Sequence, residues 1–399
     1  MRALGFTLTP EHRMVISAVE DLIRKLKPKR EIYLKSIFEE QRFPDELWDK
    51  MAEIGLFGTL VPEKYGGTGL GLLAITLAIE AFAAEGLGSA LVVLTTMDTM
   101  AILRAGTEEQ KRFWMPKIVE GKVRLAFAIT EPDAGSNSFK IRTLARKEGE
   151  IYRLTGQKAW ITGVDCADYV LVVARSLPYD KLIEQGLPRT YGLSLFLVDT
   201  RAKGLSMRPM ETMGIEGYRQ FFLHFDDVEV PEEFRIGPEH HGAKVMFDAL
   251  NSERILAAAI GVGISEYALS RAAAYAKERR VFGDTPIGAY QAVQHPLARL
   301  RVKQEAARLL TYQAAAAFDQ ELPALDVGLY ANMAKYLASE VAFEAVDWAI
   351  QVHGGNGFVK EYHLIQMLAP ARLLKTAPIN NEMILNFIAE HALGLPRSY

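Results

Sequence analysis

One carboxylate stands where an apolar helix has no structural use for it. The stretch ALNSERILAAA, residues 249–259, lies inside a long apolar helical pattern from Val245 to Ile264, and Glu253 and Arg254 interrupt it. On a helix the neighbours of a position lie three, four and seven residues away. For position 253 these are Met246, Ala249, Leu250, Leu256, Ala257 and Ile260, all apolar. Glu253 therefore projects from the stripe that should be buried, although Glu is rarely fully buried unpaired. Desolvation disfavours a charged carboxylate and raises its pKa, which suits a general base working near neutral pH. The plain alternative is an internal ion pair with an Arg on another helix. Arg254 is a poor partner, because adjacent residues on a helix do not face each other.

Four other stretches carry residue types that can hold a ligand. In AFAITEPDAGSN, residues 126–137, a strand breaks at Pro132 and Gly135. The break leaves main-chain N–H groups and the hydroxyls of Thr130 and Ser136 as donors to a carbonyl, a ring nitrogen or a phosphate oxygen. An ordinary loop after a strand reads the same way. In KAWITG, residues 158–163, Trp160 offers an aromatic face to a planar ligand while the main chain bonds its edge; a half-buried strand Trp is the commoner case. In ERRVFG and YQAVQH, Arg279 or Arg280 suits a phosphate and Phe282 an adenine, against the plain reading of cations at a helix C-terminus. In QVHGGNGF, residues 351–358, Gly354 and Gly355 allow close approach of the main chain to a ligand, and equally they end a helix.

The elements that must position these residues change character twice. Residues 9–122 show helical spacing, residues 124–236 read as short strands rich in β-branched and aromatic residues, and helical spacing returns over 240–395 with long Ala-rich runs. KEGEIYRLTGQKAW reads as a hairpin turning near Glu148–Glu150. The order is not the alternating strand–helix pattern of a parallel sheet. The fold class is therefore α+β, in three blocks. These are an N-terminal helical domain over 1–123, a central antiparallel β-barrel or sheet domain over 124–237, and a C-terminal four-helix-bundle domain over 238–399. Thr9 followed by Pro10 is a helix N-cap with proline at the first helical position.

Composition narrows the function classes. A net charge of −3 over 399 residues, with no basic block, argues against nucleic acid as the main partner. The single cysteine, Cys166, leaves no disulfide framework and no cysteine-based zinc site, so no metal is expected and a cytoplasmic setting fits. The N-terminal stretch lacks an apolar signal core, and no stretch approaches the roughly 20 uninterrupted apolar residues of a membrane span.

In this order and spacing, the four stretches and the link FDDVEVPEEFRIG resemble the acyl-CoA dehydrogenase family over essentially the whole chain. The resemblance implies an FAD enzyme of fatty acid metabolism that oxidises an acyl-CoA to its trans-2-enoyl-CoA and passes electrons to an electron-transferring flavoprotein. It implies that Phe127, Ile129 and Thr130 line the isoalloxazine, Ser136 meets the pyrophosphate, and Trp160 and Thr162 cover the other side of the ring. Arg279, Phe282, Gln291, Gln351, Gly354 and Gly355 resemble segments that reach the FAD of a neighbouring subunit, which implies at least a dimer and, by family habit, a homotetramer. Asn251 matches a position that contacts the pantetheine of CoA, and Arg254 would orient the active site or bond another carboxylate.

The base is where the chain departs from the commoner family pattern. Counting from Arg372, the C-terminal Tyr-Glu-Gly-Thr type of motif places Asn381 at the Glu position. Asn cannot serve as a base, though its main-chain N–H is expected to donate to the thioester carbonyl. Glu382 lies one step away, turned by about 100° on a helix. The second family arrangement, typified by isovaleryl-CoA dehydrogenase, carries the base in Leu-x-x-Glu-Arg on the first long helix after the sheet, which here is Leu250 to Arg254. Glu253 is the expected base. Asp98, in TTMDTM, is a further acidic residue able to reach an acyl pocket and serve ring substrates, with capping or solvation as its plain role. For His353 the plain role is packing. Two rivals remain: a flavin oxidase or monooxygenase on the same fold, and a non-catalytic acyl-CoA-binding protein without a base. Acyl chain length and branching stay open.

Overall fold

The computed structural model describes residues 7–398, with only the main chain of Asp248. In chain order its main helices are α1 Pro10–Leu26, α2 Arg30–Phe38, α3 Asp45–Glu53, α4 Leu72–Ala84, α5 Ala90–Ala105, α6 Glu108–Val119, α7 Tyr179–Glu184, α8 Gly242–Glu278, α9 Gln291–Asp319, α10 Ala324–His353, α11 Ile365–Leu373 and α12 Asn381–Leu393. The strands are β1 Leu125–Ala128, β2 Leu144–Glu148, β3 Ile151–Thr162, β4 Tyr169–Arg175, β5 Leu193–Asp199, β6 Leu205–Pro209, β7 Gln220–Pro231, β8 Arg235–Ile236, β9 Arg280–Val281 and β10 Thr285–Pro286. The three blocks read from the sequence are present as helices, sheet and helices. They distribute over two compact units, one of residues 1–38, 72–88 and 254–399, the other of residues 39–71 and 89–253.

In the first unit, α1 starts as its sequence dictates. The Thr9 side chain accepts from the His12 N–H, the His12 ring returns a bond to the Thr9 N–H, and Pro10 sits at the first helical position. The Ala-rich helices pack at backbone distance. A Cβ on Gly261 of α8 would stand 3.0 Å from the Ala338 carbonyl of α10, and one on Gly263 would stand 2.5 Å from the Glu80 carbonyl of α4. Charges tie the bundle together. Glu80 accepts from Arg308 Nε at 2.7 Å and from the Tyr312 hydroxyl at 2.8 Å, both on α9. Glu266 of α8 accepts from Arg301, Gln304 and Arg308 of α9. Burial pushes the Glu266 carboxyl up, but these donors outweigh it and hold the group at about 2. The α4 N-terminus is capped from a distance: Asp319 accepts from the Leu72 and Leu73 N–H groups at 2.6 and 2.9 Å.

The second unit holds the sheet and the helices against it. α5 is buried from Leu91 to Ile102, its polar residues included, and its start is fixed by Ser89, whose side chain accepts from the Val92 N–H. α6 begins in a Thr107/Gln110 capping box. The sheet runs β6-β7-β3-β2-β4-β5-β8, with β1 beside β4. Of the barrel or sheet expected from the sequence it is the sheet, and the expected antiparallel arrangement is corrected. Among the described residues the sheet is open, ending at β6 and β8, and it is mixed: β1 and β2 both pair with β4 in parallel. The hairpin falls where the sequence puts it, with Glu148 opposite Ile151 and Gly149 at φ 64° in the tight turn. Only α8 is long and apolar enough among the described residues to cross a membrane, and it is a mostly buried core helix here.

Candidate active site

The ligand-type residues of the sheet come together at one end of β1 and β3. Along β1 the burial alternates: Ala126 and Ala128 are buried, while Phe127 and Ile129 face a more open side. Past Thr130 the chain turns at Glu131–Ala134, closed by a reciprocal pair of main-chain hydrogen bonds. An internal ion pair holds this turn. Lys158, fully buried, donates to the Ile129 carbonyl at 2.8 Å and to Glu131 Oε1 at 2.9 Å. The Glu131 carboxylate also accepts the Arg142 and Thr143 N–H groups. Burial pushes Glu131 up, but Lys158 and these donors hold it below the usual range; burial lowers the Lys158 ammonium to about 8 against the opposing pull of Glu131. The Ala159 N–H donates to the Thr130 carbonyl at 2.9 Å, which sets KAWITG beside the turn.

Trp160 follows at once, and its geometry was not legible in the sequence. The β3–β7 register shifts between Lys158 and Ile161, and Trp160 takes φ 60°, left-handed backbone that an L-residue rarely adopts. The bulge re-aims the indole, which is 56 % exposed between buried Ala159 and Ile161. Thr162 closes β3, its hydroxyl bonded to the Gln220 side chain. Ser136 is exposed beyond Gly135, around which there is open space.

The carboxylate of the apolar α8 stripe lies in the same unit. Glu253 sits on α8, half-buried, with Met246, Ala249, Leu256, Ala257 and Ile260 buried around its helical face. Asn251 is 8 % exposed; Arg254, half-buried, is the first residue of the other unit's 254–399 segment. Asp98 changes the picture. The expectation of a cap or a solvated face fails, because Asp98 lies mid-way along α5 at 0 % exposure and neither carboxyl oxygen has a hydrogen-bond partner. Burial first, and the Glu253 charge second, push its carboxyl well above the ordinary range.

The remaining predicted residues belong to the other unit. Arg279 and Gln291 are exposed, at the end of α8 and the start of α9. Phe282 sits at the tip of the β9–β10 hairpin, 95 % exposed and at φ 49°. Gln351 is exposed at the end of α10, and nothing approaches within 4 Å of a Cβ built on Gly354 or Gly355. Arg279 also lines a cavity of about 460 Å³ with Arg30, Arg271, Tyr275 and Tyr362. His353 packs as expected, stacked on Tyr275 at 4.2 Å. Glu382 is exposed on α12. Asn381 requires a correction. Its N–H donates to the Lys375 carbonyl at 3.1 Å and so is not the free donor expected; its side chain is buried in a network with Lys335, Ser339 and Glu340. Among the described residues no cluster suits a metal ion.

Three family descriptions match in succession: the acyl-CoA dehydrogenase N-terminal domain over residues 9–122, the middle domain over 126–228 and the C-terminal domain over 240–393. The chain belongs to the acyl-CoA dehydrogenase family. It is 43 % identical to an acyl-CoA dehydrogenase of Mycobacterium tuberculosis, over 89 % of each chain. It is 35 % identical to subunit CarC of the caffeyl-CoA reductase–Etf complex of Acetobacterium woodii, over 90 % of this chain and 94 % of that one. Its fold matches butyryl-CoA dehydrogenase of Megasphaera elsdenii at a TM-score of 0.89, with 30 % identity, over 98 % of this chain and 100 % of that chain. As a member of this acyl-CoA dehydrogenase family it is an oxidoreductase acting on acyl-CoA, with FAD as cofactor. The donor set fits that group. An exposed indole on a strained bulge suits a flat ring, half-buried Phe127 and Ile129 give apolar contact, and the space about Gly135 and Ser136 suits a phosphate.

Proposed function

We propose that this enzyme removes the α-proton of an acyl-CoA thioester with Glu253, forms the trans-2-enoyl-CoA, and hands the electrons to an electron-transferring flavoprotein. The observation that carries the reading is Glu253 itself, a half-buried carboxylate on the apolar face of α8 in a chain with Asn at the C-terminal position of the base. The Asn381 N–H, spent on Lys375, has no part in it.

The chemistry that FAD supplies when bound is acceptance of the β-hydrogen as hydride. The protein's share is placement. Phe127, Ile129, Thr130, Trp160 and Thr162 would hold the ring and Ser136 the pyrophosphate. The Glu131–Lys158 pair fixes the turn that carries them. Arg279, Phe282, Gln291, Gln351, Gly354 and Gly355 would reach the FAD of a neighbouring subunit, making the active form at least a dimer; the exposure of Phe282 supports this. Asn251 and Arg254 would position the thioester. Glu253 takes the proton, and the C–H electron pair becomes the new Cα–Cβ double bond as the β-hydrogen leaves.

The flavoprotein acceptor is supported by the CarC relative, which is named as a subunit of an Etf complex. Anaerobic mixing with a panel of acyl-CoA thioesters tests the reading. At least one thioester is expected to bleach the flavin and yield its 2-enoyl-CoA by mass spectrometry, with fast reoxidation by electron-transferring flavoprotein and slow reoxidation in air. Fast reoxidation in air with formation of peroxide would turn the reading to an oxidase.

A further inference from the structure

Asp98 has no structural account. Neither of its oxygens meets a donor or an acceptor, and it is wholly buried. Native proteins seldom leave a buried polar atom so, and each such atom calls for an explanation. The threonine hydroxyls of the same stretch of α5 offer no help. Thr96 donates to the Val92 carbonyl at 2.7 Å, Thr99 to the Thr95 carbonyl at 2.6 Å, and Thr95 to the Leu125 carbonyl at 3.2 Å. Among the described residues the charge that acts on Asp98 is that of Glu253, which opposes its ionisation. A carboxyl in apolar surroundings beside a carboxylate keeps its proton, because two such charges do not both ionise. Neutral, it carries an O–H donor that no described residue accepts.

We propose that Asp98 recognises the substrate: enclosed on α5 with no partner for either carboxyl oxygen, it donates an O–H to an uncharged oxygen carried by the acyl group. This rests on the reading of Glu253 as the base, because a group beside the base is a group beside the acyl carbons next to the reacting bond. The favoured acyl class then bears a hydroxyl, ether or keto oxygen a few bonds beyond the β-carbon. A carboxylate would be opposed by Glu253, and a plain alkyl chain would leave the Asp98 proton unsatisfied. A site built to bond a substrate oxygen rejects the analogue lacking it.

The test compares hexanoyl-CoA with its 4-, 5- and 6-hydroxy and 5-oxo counterparts, reading kcat/KM for flavin bleaching. Wild type is expected to prefer at least one oxygenated thioester by about tenfold or more. The ratio should fall toward one in D98L and survive in part in D98N, whose amide still donates. Equal rates across the wild-type panel, or the wild-type ratio kept in D98L, overturn the proposal. Infrared difference spectra of wild type against D98N read the protonation without turnover. A protonated-carboxyl band in wild type at neutral pH is expected; its absence overturns the proposal even if D98L fails to fold. Should E253Q still bleach with hexanoyl-CoA, the base reading fails on its own, separately from these ratios.

Discussion

Glu253 and Asp98 are two carboxyl groups in one unit with opposite fates. Glu253 was legible because every helical neighbour of position 253 is apolar and a lone charge on such a face asks for a reason. Asp98 was not: TTMDTM mixes polar and apolar residues, and only the packing shows that α5 is enclosed on all sides. The consequence can be measured. Asp98 is protonated when folded and ionised when unfolded above its ordinary pKa of 3.8, so the unfolded state binds fewer protons and stability falls as pH rises past that value. D98N removes this loss. Thermal midpoints measured across pH should therefore show D98N more stable than wild type at pH 7, with the advantage shrinking toward pH 4. A constant difference would mean that Asp98 does not titrate in that window.

At the scale of elements, β3 does two jobs along a few residues. Lys158 faces inward and ties the Glu131 turn to the strand, and Trp160 is turned outward by a bulge. The strand and its hairpin were legible from alternation and the Gly149 turn, whereas the bulge was not, because nothing in KAWITG announces a left-handed Trp. The parallel β1–β4 pair was hidden for another reason. β1 is four residues long, and its partner lies more than forty residues later, so no local pattern reports the pairing. The Asn381 N–H was misread because its acceptor, the Lys375 carbonyl, is set by a turn of the chain and not by side-chain type. K158M leaves Glu131 charged and buried without its cation, a change that costs about 3–5 kcal/mol. Calorimetry should show a lower midpoint, and gel filtration should show flavin lost from the folded fraction. Tight retention of flavin in K158M would separate the turn from the cofactor.

The whole molecule was the most legible scale, since helical, strand and helical spacing succeed one another in long blocks and the family matches cover them in the same order. What a single chain leaves open is who covers Phe282, 95 % exposed at a hairpin tip. If a neighbouring subunit's cofactor does, F282D should shift sedimentation toward smaller species and release FAD together. A wild-type monomer that holds FAD tightly would contradict that assembly. The proposed reaction rests on Glu253 as the base, and the most direct measurement is made on E253Q. Purified E253Q should be yellow, and anaerobic addition of an acyl-CoA that bleaches wild type should leave its flavin oxidised, with the rate of bleaching down by at least about a hundredfold, as loss of a general base implies. Bleaching at the wild-type rate would show that another group removes the α-proton.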